Sequence, residues 1–230
     1  MSKTVLIIGA SRGLGLGLAK QFSSQGWQVI ATVRDPQRAD ALASVANMRI
    51  EQLDIDDAAN VDALAQQLSG TSLDALFINA GISGSRTLSA DTATPGELSQ
   101  LFMTNAVAPV RLAKRMLPLV DPQAGVITFM SSIMGSVETG PGMGMPLYGA
   151  SKAALNHLTR TFVAELGDDT GITVLSMHPG WVKTDMGGAE APLDIEASCA
   201  GMVEQVRRAA GQGGQGGHRF IDYQGEQLPW

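Results

Sequence analysis

The chain has 230 residues, 44% of them hydrophobic, a net charge of −6 and one cysteine, Cys199. That length suits a single domain with a substantial core, and an acidic, aromatic-poor surface argues against a nucleic-acid partner. A lone cysteine excludes an internal disulfide and suits a reducing, cytoplasmic setting; no signal-peptide core precedes the first strand and no apolar run reaches membrane-spanning length.

Thr4–Ile8 is a continuous β-branched, apolar run, as expected of a strand buried on both faces of a parallel sheet. A glycine-rich turn and a helix to about Gln25 follow, then a second strand at Gln28–Val33. Asp35 and Pro36 open the next helix, as N-cap and first helical residue. Met48–Gln52 is predicted as a third strand, Asp56–Leu68 as a helix and Ala75–Ile78 as a fourth strand. A long helix spans Pro95–Leu117, interrupted by Pro109 and stopped by Pro118. Val126–Met130 and Thr173–Met177 are further strands, flanking a helix at Tyr148–Leu166; a helix at Asp194–Ala210 and a short strand at Arg219–Ile221 close the chain. Strands alternating with helices throughout predict one α/β domain over 1–230. Its fold is a doubly wound parallel sheet of about seven strands with helices on both faces. The stretch Gly211–Gly217 reads as a flexible loop.

In such a sheet, ligands bind at the carboxyl ends of the strands. The first strand ends in Gly9-Ala10-Ser11-Arg12-Gly13-Leu14-Gly15, a GxxxGxG pattern rather than GxGxxG, because position 18 is Leu18. Glycines there allow a tight turn, let the backbone approach a pyrophosphate and present helix amides to an anion. After the second strand, Arg34 can accommodate a ribose 2′-phosphate, with Arg12 converging on it, whereas Asp35 already serves as a cap. This favours NADP(H) over NAD. Tyr148 and Lys152 share a helix face four residues apart, so a cation near the phenol is expected to lower its pKa and make it a proton donor near neutrality.

Taken together, the glycine turn, Asp54, Asn79-Ala80-Gly81 and Tyr148-Gly149-Ala150-Ser151-Lys152 resemble the short-chain dehydrogenase/reductase family. Phe220-Ile221-Asp222-Tyr223 and Leu228-Pro229-Trp230 are similar to the ending of its C-factor and sniffer-type carbonyl reductases. The resemblance implies a Rossmann fold, a small-molecule carbonyl or alcohol substrate and a homodimer or tetramer, with no membrane or nucleic-acid partner. It implies that Asp54 bonds the adenine amino group, with a backbone contact from Ile55, although Asp54 or Asp56 could instead start a helix. It implies that Asn79, Ala80 and Gly81 line the cofactor, and that Pro179, Gly180, Val182 and Thr184 hold the nicotinamide carboxamide through the Val182 amide and the Thr184 hydroxyl. It further implies a catalytic set of Asn105, Ser132, Tyr148 and Lys152, Asn105 completing a water relay through the lysine. Ser131, facing the other way on an extended chain, is expected to be structural. Ser132 precedes Tyr148 by sixteen residues, a longer spacing than in most members, with the extra residues in Thr139–Pro146.

The remaining candidates have plainer readings. Cys199, among apolar neighbours, is expected to pack as a small hydrophobe, and His157 to pack or meet a subunit. His178 has no second ligand at metal spacing, and no metal is expected. Met143, Met145 and Met186 suit either an adaptable pocket or the core. Two alternatives stay open: an NAD-dependent alcohol dehydrogenase, and a nucleotide-binding signalling protein whose catalysis is incidental.

Overall fold

A computed structural model describes residues 2–85, 87–167, 170–211 and 216–230. Seven parallel strands form one sheet: β1 (Thr4–Ile8), β2 (Gln28–Val33), β3 (Met48–Gln52), β4 (Ala75–Ile78), β5 (Val126–Met130), β6 (Thr173–His178) and β7 (His218–Asp222). Their order is β3-β2-β1-β4-β5-β6-β7. The chain winds outward from β1 in one direction and from β4 in the other, so the connections diverge between these two strands. The crevice at their carboxyl ends is where such sheets take ligands.

Alternating side chains of β1 serve both faces. Val5 and Ile7 join a core with Leu18 and Phe22 of α1 (Gly13–Ser24) and with Met202 and Val206 of α7 (Ile195–Gly211). Leu6 and Ile8 join a second core beneath three other helices, α3 (Ala58–Gln67), α5 (Ala108–Met116) and α6 (Pro146–Leu166). Burial on both faces is why β1, β4 and β5 are apolar at nearly every position. Cys199 is buried in the first core, in contact with the α1 backbone.

Several boundaries differ from expectation. Asp35 does cap Pro36, accepting a hydrogen bond from the Gln37 amide at 3.0 Å, but the helix is a 3₁₀ turn at Pro36–Arg38 followed by the single-turn α2 (Asp40–Ala43). Helix α3 is capped by neither Asp54 nor Asp56. The Asp57 carboxylate accepts from the Ala59 and Asn60 amides instead. The long helix at 95–117 is three pieces: α4 (Pro95–Phe102), a π-helical segment Met103–Val107, and α5. Pro109 explains the middle piece. It has no N–H for the Asn105 carbonyl four residues back, so the α-helical ladder cannot continue there. The glycine-rich stretch 211–217 lies largely outside the described residues. No described helix is long and apolar enough to cross a membrane.

Candidate active site

A groove runs across the carboxyl ends of the strands. Its floor is the glycine turn, with Gly9, Ser11, Arg12, Gly13 and Leu14, and the end of β4, with Asn79, Ala80 and Gly81. One end is closed by Arg34, Asp54, Ile55 and Asp56, the other by Tyr148, Lys152, Pro179 and Thr184. The two halves of the floor are tied together: the Asn79 side chain donates to the Gly9 carbonyl at 2.7 Å, and the Asn79 and Ala80 amides both reach the Ile8 carbonyl. Gly15 lies behind the turn rather than in the groove. A Cβ on it would strike the Gly9 carbonyl and come within 2.7 Å of the Asn79 amide nitrogen, so only glycine lets α1 start this close to β4. Thr32, absent from the sequence expectations, also lines the groove; its hydroxyl accepts from the Gly9 amide at 3.0 Å.

Two guanidinium groups, Arg12 and Arg34, line the groove. Arg12 is ion-paired across it to Asp185, in the segment after β6. At the Arg34 end the Asp54 carboxylate accepts from the Asp56 amide. The Asp56 carboxylate accepts from Thr104 at 2.6 Å and Gln100 at 2.8 Å, and Arg111 donates to the Ile55 and Asp56 carbonyls. The second oxygen of Asp56 is buried with no partner, and its residue lines the groove. Guanidinium groups, helix amides and carboxylate acceptors along one trough form a donor set that fits a phosphorylated dinucleotide.

The reactive end is built on α6. Tyr148 and Lys152 face the groove one turn apart, as the spacing predicted. The Ser132 hydroxyl lies beside the Tyr148 phenol and favours its ionised form. Ser132 is held there because a 3₁₀ turn, Ile133–Gly135, packs directly on α6. A Cβ on Gly135 would sit 2.8 Å from the Lys152 Cβ, and one on Gly149 would sit 2.8 Å from the Met134 carbonyl. Ser131 lines the groove, but its hydroxyl is engaged, donating to the buried Asn156 at 2.7 Å.

The electrostatics depart from the sequence expectation. The Lys152 ammonium does not lower the phenol. It donates to the Met130 carbonyl at 2.9 Å and lies 5.7 Å from the centre of the Tyr148 ring. Burial dominates, pushing Tyr148 up to about 12, and the Ser132 hydroxyl works only partly against it. Burial also pushes Lys152 down to about 8. The tyrosine therefore holds its proton at neutral pH, while most of the lysine stays charged.

Four further residues of the expected site have other contacts here. Asn105 is fully buried in the π-helical segment and does not line the groove. Its side chain donates to the Ile82 carbonyl at 2.7 Å and to Ser151 at 3.0 Å, and accepts from the Ile82 amide at 2.8 Å. Ser151, which the sequence reading passed over, links Asn105 to the Tyr148 carbonyl. Gly180 packs against Leu193 and Tyr223 outside the groove, and Val182 is buried in a bridge to Leu193. The Thr184 hydroxyl is engaged within its own turn, accepting from the Gly187 amide at 3.0 Å.

Comparison with known proteins agrees with this architecture. A short chain dehydrogenase family model matches residues 3–193. The C-signal protein of Myxococcus xanthus is 36% identical over 169 residues, spanning 73% of this chain and 99% of that protein. Among solved structures, a carbonyl reductase of Pseudomonas aeruginosa PAO1 in complex with NADP is 41% identical, with a TM-score of 0.91 over 100% of both chains. The carbonyl reductase Sniffer of D. melanogaster is 33% identical, with a TM-score of 0.87 over 100% of both chains. The chain belongs to the short-chain dehydrogenase/reductase family of oxidoreductases.

Proposed function

We propose that the protein is an NADP(H)-dependent carbonyl reductase, with cofactor groove and reactive side chains in the one domain. The observation that carries this reading is Tyr148 and Lys152 at one end of a groove whose lining also includes Arg12 and Arg34, with Ser132 beside the phenol. When bound, the nicotinamide supplies or accepts the hydride. The chain supplies the rest. Arg34, and Arg12 once released from Asp185, would hold the 2′-phosphate; Asp54 or the unpartnered oxygen of Asp56 would accept from the adenine amino group. The glycine turn would present its amides to the pyrophosphate. The half-buried Tyr148, protonated at neutrality, donates its proton to the carbonyl oxygen. The Ser132 hydroxyl bonds that same oxygen and stabilises the charge developing there. Lys152 keeps positive charge beneath the phenol as the proton leaves, and Asn105, through Ile82 and Ser151, fixes the wall on which Tyr148 and Lys152 stand.

Among the described residues, five large apolar side chains are exposed, and four of them lie in two segments. Val137 and Met143 are 75% and 48% exposed in the stretch between Ser132 and Tyr148; Trp181 and Met186 are 57% and 39% exposed after β6. These segments enter and leave the reactive end, which favours apolar, aromatic carbonyl compounds over charged keto acids. Oxidation of NADPH against a panel of aldehydes, aryl ketones, quinones and keto acids, with NADH in parallel, tests the proposal. Turnover of aryl carbonyls with NADPH is the expected result. Turnover only with NADH, or no turnover of any carbonyl, would overturn it.

A further inference from the structure

The excursion from Ser132 to Tyr148 is anchored far from the reactive end. Its outgoing leg, Ile133–Gly135, lies on α6, and the returning leg rests on the outgoing one: Gly140 packs on the Met134 and Ser136 carbonyls and its amide donates to the Ser136 carbonyl. At the turn between the legs, the Val137 amide donates to the Trp230 backbone oxygen at 3.2 Å, and the Ser136 hydroxyl does so at 3.4 Å. Trp230 is thus the outer support of the excursion.

Trp230 is itself held by its ring. The chain after β7 turns at Asp222–Gly225 and runs back along the strand, Leu228 donating to the Phe220 carbonyl at 2.8 Å. His218 and Phe220, two residues apart on one face of β7, lie 4.7 Å and 5.3 Å from the indole, and the Arg160 guanidinium stands over it at 5.0 Å. Arg160 is on α6, continuing at four-residue steps the series Tyr148, Lys152 and Asn156. Asn156 in turn donates to the Gly135 carbonyl and accepts from Ser131. One helix therefore carries the reactive side chains at one end and, through Arg160, the indole that braces the Ser132–Tyr148 excursion at the other.

We infer that Trp230 is a positioning residue that sets substrate selectivity: its indole, clamped between β7 and Arg160, fixes the wall formed by Ser136–Met145 against bulky carbonyl substrates. The returning leg carries Met143 and Met145 and three glycines, so it has little order of its own beyond this support. The inference rests on the carbonyl reductase reading, but one of its readouts does not.

The test compares Trp230→Ala, Trp230→Phe and Arg160→Ala with wild type in the full chain. Hydrogen exchange is followed over 133–145, and kcat/KM is measured for the fastest aryl carbonyl of the panel and for propanal. In Trp230→Ala, exchange over 133–145 should rise about tenfold while β1 and β4 stay protected. The aryl-to-propanal ratio of kcat/KM should fall by about tenfold, mostly through KM for the aryl substrate, with NADPH affinity unchanged. Trp230→Phe should restore most of the ratio, and Arg160→Ala should lose part of it. Unchanged exchange over 133–145 overturns the brace whatever the activity. Raised exchange with an unchanged ratio, or a parallel loss of both substrates and of NADPH binding, overturns the selectivity role. A wild type inactive on every carbonyl overturns the functional reading alone, and the exchange comparison then still decides the brace.

Discussion

Tyr148 holds its proton more tightly than a free phenol does. With the phenol pushed up to about 12 by burial and opposed only by Ser132, removing the hydroxyl removes the proton donor proposed for the carbonyl oxygen. Tyr148→Phe should lower kcat on the order of a hundredfold or more and leave NADPH affinity, measured by fluorescence titration, nearly intact. Near-wild-type turnover would remove Tyr148 from the mechanism. The two adjacent serines should separate by different measurements. Ser132→Ala should lower kcat roughly ten- to a hundredfold with the melting temperature held, because in the proposed mechanism the hydroxyl bonds the reacting oxygen. Ser131→Ala should leave kcat within a few-fold and cost about 1–3 kcal/mol in denaturant unfolding, because it strands the buried Asn156. Reversed losses would exchange their roles. The pairing of Tyr148 with Lys152 was legible in sequence because four-residue spacing is local. The direction of the phenol's pKa was not, because it depends on burial against residues distant in the chain, while the Lys152 ammonium donates its hydrogen bond to the Met130 carbonyl.

At the scale of elements, α6 and the 3₁₀ turn after β5 form one rigid unit, joined where Gly135 and Gly149 let backbones meet. Gly149→Ala places a methyl against the Met134 carbonyl, neither of which can move without shifting Ser132. Both kcat and the melting temperature should fall, by more than Ala150→Ser at the exposed neighbouring position would produce; a purely thermal effect would show that the contact is structural only. The end of β2 allows a charge test. Arg34→Asp puts a carboxylate where a 2′-phosphate would lie, so the NADPH-to-NADH affinity ratio should drop by at least tenfold. An unchanged ratio would move 2′-phosphate recognition off Arg34. The strands, the glycine turn and the Asp35 cap were legible because periodicity and capping act over a few residues. The π segment around Asn105 was half legible: Pro109 marked the break, but only the hydrogen bonds from Asn105 to Ile82 and Ser151 show what the distortion serves.

At the scale of the molecule, the doubly wound parallel sheet was implied by alternating elements and right-handed crossovers, whereas the return of the chain from β7 to the Ser136–Val137 turn was not, since it joins residues 94 positions apart. The same region gives the fold an acid sensitivity. Burial holds His218 down to about 4, helped by the Arg160 charge; its ring meets Trp230, and Ser176 lies 3.1 Å from its Nε2. Burial likewise holds His178 down to about 4, with Asp222 working the other way. Both histidines are lowered from an ordinary value of 6.5, so between pH 6.5 and 4 the unfolded chain binds more protons than the folded one. Stability they contribute is complete above pH 6.5 and is lost as pH falls toward 4. Denaturant midpoints measured across that window should therefore decline. His218→Phe keeps an aromatic ring beside Trp230 and cannot take a proton, so its decline should be shallower than that of wild type, even if the lost Ser176 contact lowers its midpoint at pH 7.5. Parallel declines in the two proteins would show that His218 does not titrate on unfolding and that the acid loss comes from carboxylates or His178 instead.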